Sequence, residues 1–175
     1  PAQLSGLLQQ HSMVLDPEIR LGLLQALLLL RNRGLLEAAA VFPLLFELFE
    51  VPDKTLRTLA YAHMVSDVRK MHAAGANSKG CREAQALVCR VLGSQERETA
   101  SKKALDLLVD LYRRRIWTDE RPVNAIAQAC LSKSTRISIG AMRFFLGIEV
   151  KMDEDEGAKM TEAQAMTVEK HQHSK

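Results

Sequence analysis

The sequence predicts an all-α fold in which helices pair and stack as an α-solenoid. Three observations lead there. Apolar residues recur at helical spacing almost throughout, with no alternating Val, Ile and Thr runs bounded by turns. Residues that start and stop helices fall between these stretches. Finally, similar helix starts return at intervals of one helix pair.

In chain order, Leu4, Leu7, Leu8 and His11 mark a short first helix. Asp16 followed by Pro17 starts the second, because a carboxylate can cap free N–H groups and proline at the first helical position loses nothing. This helix should run to about Arg33 and stop at Gly34, which accepts the left-handed cap conformation. A third covers roughly 37–49, with Leu44, Leu45, Leu48 and Phe49 at core spacing. Pro52 and Asp53 open a long fourth helix, whose stripe runs through Leu56, Leu59, Ala60, His63, Met64, Asp67, Val68 and Met71. The small, polar residues 74–80 read as a loop. Further helices are expected over about 81–93, 97–115, 119–131 and 134–146, with Thr118 as cap of the seventh and Asp119 and Glu120 in its first turn.

The second helices of successive pairs begin alike: DPEIR at Asp16, DKTLR at Asp53, ETASK at Glu98 and SKSTR at Ser132. Each places Arg or Lys four residues on, at Arg20, Arg57, Lys102 and Arg136. The intervals of 37, 45 and 34 residues suit about four units of the armadillo/HEAT kind, each burying a face against the next. A plain helical bundle is the rival. Residues 1–147 form the helical-repeat domain on this reading. Residues 148–175 read as an acidic, flexible linker, with TEAQAMTVEK a short helix that needs a partner. The chain opens at Pro1 and closes on EKHQHSK, so it reads as a piece of a longer protein.

Charge divides along the same line. Residues 1–147 hold 20 Lys and Arg against 14 Asp and Glu, whereas residues 148–175 hold 4 against 7. A mildly basic body with an acidic tail is compatible with nucleic-acid contact without establishing it. Cys81, Cys89 and Cys130 form no C-x-x-C pair and are odd in number, which favours a reduced compartment and packing roles. The richest apolar stretch, Leu21 to Leu30, is ten residues long and flanked by Arg20 and Arg31, so it reads as a buried helix and no membrane partner is expected.

Catalytic signatures are scarce. His63 precedes Asp67 by one helical turn, but neither a nucleophile nor an oxyanion loop accompanies them, and a locally bonded histidine is the plainer reading. His171 and His173 form an isolated H-x-H in the tail. Phosphate-binding glycine loops and zinc-protease spacings are absent. The sequence therefore predicts no enzyme, no cofactor, no metal and no small-molecule substrate. Met13, Met64, Met71 and Met142 read as fillers of a Leu-rich core.

The basic clusters differ in kind. Arg69, Lys70, Lys102, Lys103, Arg113, Arg114, Arg115, Lys133 and Arg136 all fall near helix ends, the edges that a solenoid presents in rows. Rows of cations bind phosphate backbones by charge neutralisation. The competing reading is an ordinary solvated face, in which Lys102 pairs with Asp106 and Asp110 with Arg113 or Arg114. Within LYRRRIWTD, Tyr112 continues the core stripe and Trp117 covers the joint between two helices.

Three phrases together resemble a known family: VLDPEIRLGLLQALLLLRNRGLL (14–36), LLFELFEVPDKTLRTLAYAHMVSDVRK (44–70) and KKALDLLVDLYRRRIWTDERPVNAIAQACLSKSTRISIGAMRFFLG (102–147). They look like the amino-terminal helical region of the eukaryotic ribosome-biogenesis factor family named for "severe depolymerisation of actin". The resemblance spans most of residues 12–147 and is weakest over 73–97. It implies a nuclear and nucleolar, non-enzymatic scaffold for maturation and export of precursors of the large (60S) ribosomal subunit. Its implied partners are the pre-60S particle's rRNA, ribosomal proteins and other assembly factors. A helical-repeat adaptor in transport or actin organisation is the alternative.

Overall fold

The computed structural model describes residues 2–148, and all of its regular structure is helical: α1 (Ala2–His11), α2 (Pro17–Asn32), α3 (Ala38–Leu48), α4 (Lys54–Ala74), α5 (Lys79–Ser94), α6 (Glu98–Arg113), α7 (Glu120–Ala129) and α8 (Thr135–Phe145). The expected tail helix lies outside the described residues.

Helix starts follow local chemistry. Asp16 accepts the N–H of Glu18 at 2.9 Å, Asp53 that of Leu56 at 3.0 Å, and Ser78 that of Cys81 at 3.3 Å. Each satisfies a donor that has no partner within the helix. The seventh start departs from expectation: Asp119, and not Thr118, occupies the N-cap position of α7. Its carboxylate accepts no cap bond because Gln85 of α5 holds Oδ1 at 2.7 Å.

Helix ends are equally specific. Beyond α2, Gly34 takes φ +72°, with Gly34 N–H bonded to the Arg31 carbonyl and Leu35 N–H to that of Leu30. The same paired bonds close α6 around Arg115 (φ +57°) and α8 around Gly147 (φ +64°). This is the Schellman stop, whose left-handed residue is usually glycine. The middle instance uses arginine.

Each odd helix packs antiparallel on the even helix that follows, and the pairs stack in order. Odd helices form one layer, with α1, α3, α5 and α7 neighbouring in turn, and even helices form the other. This arrangement is the expected α-solenoid of about four helix pairs. A continuous core runs through it, from Leu8 and Leu24 through Phe42, Leu45, Met64 and Leu92 to Leu108, Ile126 and Ile137. Burial on this scale is the main stabilising term. Gly140 lets α8 approach α6 closely, since a Cβ there would stand 3.0 Å from Leu105 Cδ2. Met64 is buried and Met71 half-buried as expected, but Met13 and Met142 are exposed and fill no core gap.

Because successive even helices run parallel, their starts share one edge and their ends the other. On the starting edge, Arg20 of α2 meets Asp53 at 3.2 Å, Glu50 accepts the Ala100 N–H at 3.1 Å, and Glu98 accepts the Ser134 hydroxyl at 2.6 Å. The Glu50 contact supplies in trans the cap that Arg97, at the α6 N-cap position, does not provide. At the ending edge, Arg31 meets Asp67 at 2.9 Å and Arg113 reaches the Ile148 carbonyl at 3.5 Å.

Candidate functional site

The two edges differ in charge. Along the starting edge, Asp16, Glu18, Glu50, Asp53, Glu96 and Glu98 are interleaved with Lys54, Arg57, Arg97, Lys133 and Arg136. Opposite charges there stand close enough to offset one another. The ending edge carries Arg33, Arg69, Lys70, Arg82, Arg113, Arg114, Arg115 and Arg121, against fewer carboxylates.

The sequence-predicted cations are therefore divided between the two edges. Arg69, Lys70, Arg113, Arg114 and Arg115 lie on the ending edge, whereas Lys102, Lys103, Lys133 and Arg136 lie toward the starting edge. Several are engaged internally. Lys102 pairs with Asp106 one turn along α6, as the spacing predicts. Lys103 is only 6% exposed, with its ammonium 5.8 Å from the Tyr61 ring centroid, so it presents no free charge to a partner. Arg114 donates to Asp110 at 2.8 Å, and that hydrogen bond raises its guanidinium pKa further. Arg69, Arg115, Lys133 and Arg136 are exposed and have no ion-pair partner among the described residues; Arg113 touches only the Ile148 carbonyl.

The ending edge gains members that clusters in the sequence did not mark. Arg82 and Arg121 stand alone in the chain and Arg33 is two residues from Arg31, yet Arg33 directly follows a helix end and the other two lie in the first turn of helices that begin at this edge. That position was the signal available. Beside them, Trp117 is 2% exposed and seals the joint of α6 and α7 as expected, while Tyr112 packs edge-on against Phe144 with centroids 5.0 Å apart. Neither ring lies open for base stacking.

The groups that suggested catalysis are otherwise employed. Asp67 serves Arg31 of the preceding pair, not His63. Burial lowers the His63 pKa to about 4, against the opposing pull of Asp67, and its Nε2 is buried without a hydrogen-bond partner. Burial likewise raises the Cys89 thiol to about 11, which leaves it protonated and poorly nucleophilic. Among the described residues, no group of three or more His, Cys, Asp or Glu is placed to hold a metal. No helix there is long and apolar enough to cross a membrane.

What the arrangement offers is an extended, positively charged edge on a rigid stack of helices, a surface suited to binding. Comparison with known proteins assigns the stack to a family. The family model described as "SDA1, HEAT repeat" matches residues 1–175. Protein SDA1 homolog of Nematostella vectensis is 40% identical over 147 residues, covering 84% of this chain and 21% of that protein. The homolog of Xenopus tropicalis is 40% identical over 155 residues, 89% of this chain and 22% of its own length. Protein SDA1 of Chaetomium thermophilum is 34% identical over 173 residues, 98% of this chain and 23% of its own length. The chain thus spans about a fifth of the length of these relatives, and by sequence and by fold it belongs to the SDA1 family of HEAT-repeat proteins.

Proposed function

We propose that this chain is a non-enzymatic scaffold segment that docks on nuclear and nucleolar precursors of the large ribosomal subunit. In this reading its ending edge meets rRNA phosphates. Arg69, Arg113 and Arg115, with Lys70, Arg33, Arg82 and Arg121 around them, neutralise the backbone, and the stacked helices hold the charges in register. Chemistry enters only as counterion release and charge-assisted hydrogen bonds to phosphate oxygens. Lys133 and Arg136, set among carboxylates on the opposite edge, contribute little. Family membership supports the reading, and so does the basic character of the edge.

The observation that carries it is Arg115. It occupies the left-handed stop of α6, where the parallel helices α2 and α8 use Gly34 and Gly147. A side chain in that conformation costs on the order of 1 kcal/mol relative to glycine. Its guanidinium is exposed and makes no ion pair among the described residues, which leaves it open to an external anion.

Arg115→Gly is the direct test. The variant should unfold at higher urea, stabilised by about 1 kcal/mol, yet bind rRNA more weakly, with its log-log salt dependence shallower by about one phosphate contact. Stabilisation with unchanged RNA affinity would mean that Arg115 does not meet phosphate.

A further inference from the structure

Helix α8 is apolar on two sides. Ile137 and Ala141 are buried and Phe144 packs against Tyr112, which joins one side to the stack. On the rest of the helix, Ile139, Met142, Phe145 and Leu146 are 43%, 46%, 50% and 71% exposed. With about 100° between successive residues, Ile139, Met142 and Leu146 form a stripe on the side of α8 opposite Ile137 and Ala141. A helix that is apolar all round is a buried helix, and neighbouring exposed apolar side chains mark a contact surface. Arg136 and Arg143 border the stripe; both are exposed, and neither has an ion-pair partner among the described residues. Whatever covers α8 should therefore bring an apolar stripe of its own together with carboxylates.

The segment that follows α8 in the chain has both. Arg113 reaches the Ile148 carbonyl at 3.5 Å, so the chain leaves the described residues beside the last turn of α8. Asp153, Glu154, Asp155 and Glu156 come next, then TEAQAMTVEK (161–170), whose sequence reads as a short helix that needs a partner. Thr161 and Gln164 have the spacing of a capping box, and Met160, Ala163 and Met166 recur every three residues, which places them on one helical face. Ten residues of helix extend about 15 Å, close to the length of the eleven-residue α8. Residues 149–160 reach up to about 40 Å when extended, more than a return along α8 requires. We propose that residues 160–170 dock on α8 as a helix, with Met160, Ala163 and Met166 covering Ile139, Met142 and Leu146 and the acidic run at 153–156 lying near Arg136 and Arg143. Tethering favours this occupant, because a segment on a short linker stands at a high effective concentration beside its site. A second copy of the chain fits less well, since a twofold pairing of α8 with itself would oppose its own arginines. Neither the α8 stripe nor Arg143 takes part in the phosphate contacts proposed above.

Amide hydrogen exchange of the 175-residue chain tests the docking. Amides of residues 164–170 should exchange about tenfold more slowly than in an unstructured chain of the same sequence, independently of chain concentration. Ile139→Asp with Met142→Asp alters exposed residues and should keep the fold, checked by circular dichroism, while returning those amides to the unstructured rate. Met160→Asp with Met166→Asp should give the same loss without touching the stack. As a measurement that does not depend on either variant, a benzoylphenylalanine placed at position 142 should crosslink to residues 160–170 of the same chain. The docking is overturned if residues 164–170 exchange at the unstructured rate in the parent, if their protection survives both pairs of substitutions, or if the crosslink misses the segment. It is equally overturned if the protection grows with chain concentration and the crosslinks join two chains, which would make a second copy the occupant.

Discussion

Asp53→Ala should destabilise the chain by about 5 kcal/mol, a large share of the stability of a domain this size. The carboxylate has two tasks. Oδ1 accepts the Leu56 N–H at 3.0 Å and so caps α4, while Oδ2 holds Arg20 at 3.2 Å across the joint between the first two helix pairs. Side-chain exposure is 8% for Arg20 and 16% for Asp53, so truncation leaves a nearly buried guanidinium without its counter-charge. That loss costs about 3–5 kcal/mol when one partner of a buried pair is removed, and the lost cap adds about 1 kcal/mol. The Leu15 carbonyl, which Arg20 also reaches, at 2.6 Å, cannot replace a charge. Urea unfolding checks the figure. Arg20→Met combined with Asp53→Ser, which keeps a capping oxygen and removes the buried charge, should recover most of the loss. If Asp53→Ala cost under about 1 kcal/mol, the joint would not depend on this pair.

Acidification gives the second large effect. Burial lowers the His63 pKa from its ordinary 6.5 to about 4, so the folded chain resists a proton that the unfolded chain accepts. The sign follows from linkage: the unfolded state binds more protons between those values, so stability falls as pH drops through the window and is fully present above it. The shift corresponds to roughly 3 kcal/mol lost between pH 6.5 and 4. A proton arriving on His63 would also meet the nearby charges of Arg31 and Lys70, which oppose it, and of Asp67, which favours it. Urea unfolding of the parent and of His63→Leu across pH 4 to 7.5 isolates this contribution, because acid effects of carboxylates are common to both. The variant should lose less stability than the parent by that amount. Parallel curves would show that His63 charges freely in the folded chain.

Much of the fold was legible because local chemistry decided it. Asp16 with Pro17, Asp53, and Gly34 are signals read within a few residues, and the helices they bound lie where periodicity put them. Repeating helix starts anticipated the stacking, since each of those starts sits on one shared edge. What stayed hidden depends on which turns meet. No local pattern says that Glu50 caps α6 from the preceding helix pair, or that Gln85 takes Asp119 and displaces the expected cap at Thr118. The pairing of Arg31 with Asp67 was likewise invisible, because His63 is the nearer neighbour along the chain. The candidate site suffered most from this limit. Nine cations read as lying near helix ends, on solenoid edges, but which edge each one joins was not legible: parallel even helices divide them between two edges and bury Lys103. Arg82 and Arg121 escaped notice as isolated residues, although the fold brings both to a cleft beside Trp117.

The central claim is that the ending edge docks the chain on large-subunit precursors through RNA phosphate. Sucrose-gradient co-sedimentation with nuclear extract tests it most directly, with the chain compared with Arg69→Ser/Arg113→Ser/Arg115→Ser and with Lys133→Ser/Arg136→Ser. The account predicts that the chain and the starting-edge variant travel with large-subunit precursors and are released by nuclease or added salt, while the ending-edge variant stays at the top. A chain absent from every precursor fraction, or an ending-edge variant that still travels with the particles, would contradict it.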